Sequence, residues 1–233
     1  MANKRTYFVT GTDTEVGKTR VTVELLNALN RQGLNTIGLK PLAAGAEESD
    51  NGDWTNEDAR ALQTAASVQL PYEQVNPVLL KAPMAPHLAA EREQRSLNLR
   101  TLEGHCRGTL MITPYDVALI EGAGGWRVPL NPRESLAGLP KALNCPVILV
   151  VGMRLGCLNH ALLSAEAIQR DGLELAGWVA NCIDPEMAEL EANIATLKTL
   201  IPAPLLGVVP YLEEGQEVRD PLFDVDVLVG RAK

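Results

Sequence analysis

The ten residues Thr10-Gly11-Thr12-Asp13-Thr14-Glu15-Val16-Gly17-Lys18-Thr19 constrain this chain more than any other stretch. They follow a β-branched and aromatic run, Tyr7-Phe8-Val9-Thr10, and precede Val21, Leu25, Leu26 and Leu29, which recur at helical spacing. A strand that turns through glycine into a helix beginning Gly-Lys-Thr is a phosphate cradle. Glycine lets backbone N–H groups approach, the helix start adds its dipole, Lys18 brings a mobile positive charge, and the Thr19 hydroxyl can ligate magnesium. The spacing departs from G-x-x-x-x-G-K-[ST]: five residues separate Gly11 from Gly17, and Thr12 stands where the first glycine belongs.

The rest of the chain reads as alternating strands and helices. Strands are expected at Thr36 to Leu42, Asp116 to Glu121, Pro146 to Val151, Leu175 to Ile183 and Leu205 to Val209. Helices are expected from Asn56 to about Ala66, Leu97 to Met111, Leu158 to Gln169 and Glu186 to Leu200. Ala44 to Trp54 reads as an acidic loop and Pro71 to Pro86 as irregular. Continuous apolar strands alternating with helices predict an α/β fold of three layers, a mostly parallel central sheet flanked by helices. At 233 residues, 46% hydrophobic and without a composition break, the chain is expected to form a single P-loop α/β domain over 1–233.

Ligands of such sheets lie at the carboxyl ends of the strands. Glu121 ends one of these strands and is a candidate magnesium ligand, followed by Gly122-Ala123-Gly124-Gly125, which allows close backbone approach. Lys40 ends another and could neutralise a transferring phosphoryl group. Asp58, in the first turn of the helix capped by Asn56, reads equally well as a ligand or as an acid stabilised by the helix dipole.

The net charge of −8 argues against non-specific nucleic-acid binding. No stretch of about 18 apolar residues or apolar leader is present, so cytoplasm is the expected compartment, with no membrane partner. Cys106, Cys145, Cys157 and Cys182 lie far apart and read as free thiols. His105, Trp126 and Trp178 read as packing or surface residues.

Taken in order, the loop from Thr10 to Thr19, Gly38-Leu-Lys-Pro41, Glu121-Gly-Ala-Gly-Gly-Trp126, Val150-Val-Gly152 with Leu155-Gly-Cys-Leu-Asn-His160, Gly177-Trp-Val-Ala-Asn181 and Ile201-Pro-Ala-Pro-Leu-Leu-Gly207 resemble the dethiobiotin synthetases. The resemblance runs from residue 7 to about 212, and the extended loop spacing is that family's own form. It implies a homodimeric, ATP- and Mg2+-dependent cyclo-ligase of biotin synthesis. Such an enzyme converts 7,8-diaminopelargonate and CO2 into dethiobiotin through a carbamate and a carbamic-phosphoric anhydride. It implies catalytic roles for Lys18, Lys40 and Thr14, and a magnesium site of Thr19, Asp58 and Glu121. Nucleotide contacts are implied for Glu15, Val16, Gly17, Lys18, Thr19 and Arg20, for Glu121, Gly122, Ala123 and Gly124, and for Asn181, Cys182, Pro210, Tyr211 and Leu212. Asn181 is expected to read the adenine. Cys157, Leu158 and Asn159 are expected to receive the substrate carboxylate from the neighbouring subunit. One position departs: the family's Lys-Pro-Val-Ala-Ser-Gly is Lys40-Pro-Leu-Ala-Ala44-Gly45 here, so a substrate contact at Ala44 loses its hydroxyl.

Alternatives from other classes remain. The Ala44 change fits a paralogue with a shifted substrate. A P-loop switch ATPase acting through a protein partner carries a lysine five residues before the loop lysine, where this chain has Asp13. A GTP-using enzyme is suggested by Asn181-Cys-Ile-Asp184, which lacks the lysine of N-K-x-D and sits before Pro185. A cobyrinate-type amide ligase would need a glutaminase domain for which there is no room.

Overall fold

The computed structural model describes residues 4–48, 51–212 and 223–230. The tail just after Glu213, in which the sequence carries no usable motif, lies outside them up to residue 222. In chain order the elements begin with β1 (Arg5–Gly11), α1 (Lys18–Arg31), β2 (Thr36–Leu39), β3 (Leu42–Ala44), β4 (Glu47–Glu48) and β5 (Trp54–Thr55). There follow α2 (Glu57–Ala65), α3 (Tyr72–Val75), β6 (Val78–Leu80), α4 (Pro86–Arg92), α5 (Leu99–Ile112), β7 (Val117–Glu121) and α6 (Gly138–Leu143). The last are β8 (Val147–Met153), α7 (Cys157–Arg170), β9 (Leu175–Cys182), α8 (Leu190–Leu200), β10 (Leu205–Val209) and α9 (Asp226–Val229).

Six strands form one sheet in the order β10-β9-β8-β1-β7-β2, every neighbouring pair parallel. Period-two alternation along the strands divides the core between the two faces. Tyr7, Val9, Val117 and Leu119 pack with Val21, Leu25 and Leu29 of α1. Phe8, Ile120, Leu149 and Trp178 face the other way, against Leu102 of α5, Ile168 of α7 and Leu197 of α8. Burial on both faces explains why these strands read as unbroken apolar runs.

Three expectations need correction. The strand from Thr36 to Leu42 breaks in two at Lys40-Pro41: Pro41 has no N–H to continue a ladder, and the Lys40 N–H turns to the Val75 carbonyl at 2.8 Å. Beyond the break β3 pairs with β6 in a separate parallel pair. The segment from Pro71 to Pro86 holds α3 and β6, and Pro86 starts α4 at a position where a missing N–H costs nothing. The acidic loop before Trp54 contains the antiparallel pair β4 and β5. All four cysteines are free and buried. Among the described residues, no helix is long and apolar enough to cross a membrane.

Candidate active site

The strand order reverses at β1, which lies between β8 and β7, and the residues singled out above gather beyond the carboxyl ends of these strands. The loop after β1 is held from both sides. Thr12 N–H donates to the Val150 carbonyl at 2.9 Å, and the Asn181 amide nitrogen donates to the Val16 carbonyl at 2.8 Å. Asp13 accepts from the Thr14 N–H at 2.8 Å and pairs with Arg154 at 2.6 Å, while its carbonyl accepts from Lys18 Nζ at 3.1 Å. Glu15 and Gly17 both take left-handed backbone, with φ of 59° and 77°. Gly11 admits no side chain, because a Cβ there would lie 2.6 Å from Val16 Cγ2.

β2 and β7 are neighbours with Leu39 opposite Ile120, so the next residues, Lys40 and Glu121, come together at the sheet edge. Lys40 Nζ donates to Glu121 Oε1 at 2.5 Å, to Asp58 Oδ2 at 2.9 Å and to the Gly122 carbonyl at 3.2 Å. The Thr19 hydroxyl donates to the same Glu121 oxygen at 2.8 Å. Asp58 reaches the cluster because Asn56 caps α2, its side chain accepting from the Ala59 N–H at 3.2 Å. Asp58 sits in the first turn of α2, as both readings of it require, and there pairs directly with Lys40.

Charge in this cluster is strongly coupled. Burial, with the Lys40 charge beside it, pushes the Lys18 ammonium down to about 8 against the pull of Glu121, Asp58 and Asp13. For Lys40 burial also opposes the charged form, but Glu121 and Asp58 outweigh it and hold the ammonium above the ordinary lysine value. Burial would raise the Asp58 carboxyl, yet Lys40 and the Thr19 hydroxyl hold it below the ordinary aspartate value. Glu121 is 1% exposed, and its second oxygen, Oε2, is buried without a partner. An unpaired oxygen on a carboxylate whose other oxygen meets the Thr19 hydroxyl is a donor of the kind a magnesium ion takes, an ion that uses few protein oxygens and keeps several sites for water and phosphate.

The remaining candidates are spread more widely. Asn181 is buried with its amide oxygen unpaired; the next residue, Cys182, lines a cavity of about 620 Å³ with Val208, Pro210, Tyr211, Leu190 and Ile194, a lining that does not include Asn181 itself. Leu212 is half-buried outside that lining. The Asp184 carboxylate accepts from the Glu186 N–H at 3.0 Å, and the residue also lines this cavity. Thr14 Oγ1 lies 3.5 Å from where a Cβ on Gly124 would stand, and the Gly11 carbonyl 3.5 Å from one on Gly125, so these two glycines lie against the loop, while Gly122 packs on Phe8 of β1. Arg20 is half-buried in the first turn of α1, and Ala44 half-buried at the end of β3. Cys157, Leu158 and Asn159 form the first turn of α7, with the Cys157 side chain in the core and its N–H bonded to the Arg154 carbonyl at 3.0 Å.

Sequence reasoning did not find Arg154, nor Tyr72 and Asn76, which link the Asn56 backbone to the Lys40 carbonyl. Tyr72 and Asn76 lie in the stretch that had read as irregular. Only the Asn56 cap carried a local signal.

Comparison with known proteins bears on the family and the fold. A family model described as an AAA domain matches residues 5–219. The chain is 57% identical over 210 residues to the ATP-dependent dethiobiotin synthetase BioD of Cellvibrio japonicus, covering 90% of this chain and 91% of that protein. It is 54% identical to the protein of the same name from Pseudomonas aeruginosa strain UCBPP-PA14 (89% and 90% covered) and 48% identical to that of Marinobacter nauticus (94% and 93%). Among solved structures, the septum site-determining protein MinD of Pyrococcus horikoshii, complexed with Mg-ADP, superposes with a TM-score of 0.53 at 19% identity, covering 89% of this chain and 82% of that one. Chloroplast FtsY of Physcomitrella patens gives 0.52 at 19%, covering 99% of this chain and 65% of its own. At such identities these two likenesses concern the fold alone.

Proposed function

Since the chain belongs to the dethiobiotin synthetase family, we propose that it uses ATP to join CO2 to 7,8-diaminopelargonate and close the cyclic urea of dethiobiotin. The observation that carries the reading is the Lys40 ammonium, buried between Asp58 and Glu121 and next to Thr19 of the phosphate loop. A substrate amine takes up CO2 and loses a proton, giving a carbamate. A carbamate oxygen attacks the γ-phosphorus and ADP departs. The second amine then attacks the carbonyl carbon of the mixed anhydride and expels phosphate. Both amines belong to one bound molecule, so positioning supplies much of the rate. Lys18 and Lys40 meet the charge that develops on the carbamate and phosphoryl oxygens, and being prearranged they reorganise little during reaction. Thr14, exposed at the crown of the loop, is placed to contact the substrate. Thr19, Asp58 and Glu121 would hold magnesium, which neutralises phosphate charge.

The nucleotide reading extends along the loop from Glu15 to Arg20, across Gly122, Ala123 and Gly124, and into the cavity lined by Cys182, Pro210 and Tyr211. Asn181 supports adenine over guanine. Its nitrogen is committed to the Val16 carbonyl, leaving an oxygen that accepts from an exocyclic amino group but repels a carbonyl in the same place. GTP is expected to bind about tenfold to a hundredfold more weakly than ATP, a cost of about 1.5–3 kcal/mol for an unmatched acceptor. Equal affinities in a titration of both nucleotides would remove Asn181 from base recognition.

Lys18 makes nucleotide binding depend on pH. Phosphate favours the charged ammonium, whereas the free protein loses that proton near pH 8. Affinity for ATP is therefore full below pH 8 and falls as pH rises through it, by up to about tenfold per unit while only the bound form stays protonated. Calorimetric titrations between pH 7 and 9.5 check this, and a flat profile contradicts it.

We place the substrate carboxylate at the α7 N-terminus of a second subunit. There Gly156 provides no side-chain cap, which suits an anionic group. Leu155, almost fully exposed beside it, suits burial in a homodimer. Ala44 leaves its usual substrate contact to water. The free, buried thiols fit the reducing cytoplasm. The function is tested by phosphate release, expected only when the diamine, bicarbonate, magnesium and ATP are all present. ATP turnover that ignores the diamine would favour a switch ATPase instead.

A further inference from the structure

Lys40 is held by its backbone as well as by its ammonium. Its N–H donates to the Val75 carbonyl at 2.8 Å, and its carbonyl accepts from Asn76 Nδ2 at 2.6 Å. Asn76 Oδ1 accepts from the Tyr72 hydroxyl at 3.0 Å, and that hydroxyl accepts from the Asn56 N–H at 2.8 Å. Asn56 caps α2 through its side-chain oxygen, and its amide nitrogen donates to the Gly45 carbonyl at 3.0 Å. One continuous chain of hydrogen bonds therefore joins the strand end bearing Lys40, the helix start bearing Asp58 and the turn after Ala44. Asn56 and Asn76 are 6% and 3% exposed, so water is a poor replacement for any missing partner.

We propose that Asn56, Tyr72 and Asn76 are positioning residues whose hydrogen-bond relay, centred on the Tyr72 hydroxyl, sets the reach of Lys40 and the separation of Lys40 from Asp58. The hydroxyl is the only group that touches both asparagines in this chain of bonds, donating to one and accepting from the other. The directions are fixed. The Asn56 N–H can only donate, so the hydroxyl must accept from it and spend its own proton on Asn76 Oδ1. That in turn leaves the Asn76 nitrogen to face the Lys40 carbonyl. Removing the hydroxyl leaves a buried N–H and a buried amide oxygen unpaired, and the Asn76 side chain is then held from its nitrogen alone, by the Lys40 and Val78 carbonyls at 2.6 and 3.4 Å. The consequence falls on Lys40 and Asp58 rather than on Lys18 or Asn181, which hang from other elements. The proposal rests on the role given to Lys40 above.

Tyr72→Phe keeps the ring and deletes only the hydroxyl, and two readouts follow it. In the steady state kcat is expected to fall about tenfold while KM for Mg-ATP stays within about twofold. In 15N spectra of the lysine ammonium groups, the Lys40 signal, assigned with Lys40→Arg, is expected to shift. Asn98→Ala, which removes the cap on the Thr101 N–H of α5, supplies a structural lesion in a helix that gives no residue to the cluster. It should lower the melting temperature and leave kcat unchanged. Wild-type kcat or an unshifted Lys40 signal in Tyr72→Phe overturns the relay, as does an equal loss of kcat in Asn98→Ala. If the wild-type protein shows no diamine-dependent turnover, the reading of the site fails by itself, and the Lys40 signal alone then decides the relay.

Discussion

Lys40→Ala is expected to lower kcat by about 10²–10³-fold while the affinity for Mg-ATP changes by less than about tenfold. The asymmetry follows from position. Lys40 is anchored at the end of β2 and touches Glu121, Asp58 and the Gly122 carbonyl, whereas Lys18 rises from the phosphate loop and bonds to the Asp13 carbonyl within it. Loss of Lys18 should damage binding, and loss of Lys40 should damage the transfer step. The variant also leaves buried Glu121 without its ion-pair partner, at up to about 3–5 kcal/mol of stability, less what Lys18 nearby offsets. Kinetics must therefore be read below its lowered melting temperature. Stopped-flow nucleotide binding and single-turnover phosphate release separate the two effects, and a wild-type rate of release would take Lys40 out of the reaction.

Gly17→Ala should abolish nucleotide binding, by more than about a hundredfold. The residue takes φ of 77°, and a Cβ would lie 2.1 Å from Asn181 Nδ2. That contact forces apart the Asn181 bond to the Val16 carbonyl, so loop and base pocket are disturbed together. Gly33 supplies the control, because it has φ of 78° but nothing within 4 Å of an added Cβ. Gly33→Ala is expected to cost about 1–2 kcal/mol from the left-handed backbone alone and to bind nucleotide normally. Binding by Gly17→Ala at near wild-type affinity would break the link between the loop and Asn181.

These expectations draw unevenly on the sequence. The strands of the sheet were legible because burial on both faces makes them continuous apolar runs, as in Val147–Met153 and Leu175–Cys182. The loop announced itself through Gly17-Lys18-Thr19, and Glu121 and Lys40 through their places at strand ends. What lies beyond the sheet was harder. Prolines at 71, 77, 83 and 86 disguised α3, β6 and α4, since Pro86 begins a helix as readily as it ends one. The break at Lys40-Pro41 was hidden because Leu42 and Ala43 continue the apolar run in a different pair of strands. Tyr72 and Asn76 carried no signal because, apart from each other, their partners Asn56 and Lys40 are 16 and 36 residues away, a separation that no local period records. Arg154, similarly, meets Asp13 across 141 residues.

The central claim is that a carbamate oxygen attacks the γ-phosphorus at the Lys18–Lys40 cluster, and isotopic oxygen follows that bond most directly. With freshly dissolved [18O]bicarbonate, 7,8-diaminopelargonate, magnesium and ATP, the oxygen that attacks phosphorus leaves with it when the ring closes. The released phosphate should then carry one 18O, and dethiobiotin should retain one in its carbonyl. Phosphate free of label, released whether or not the diamine is present, would mean that water is the nucleophile and would contradict the account.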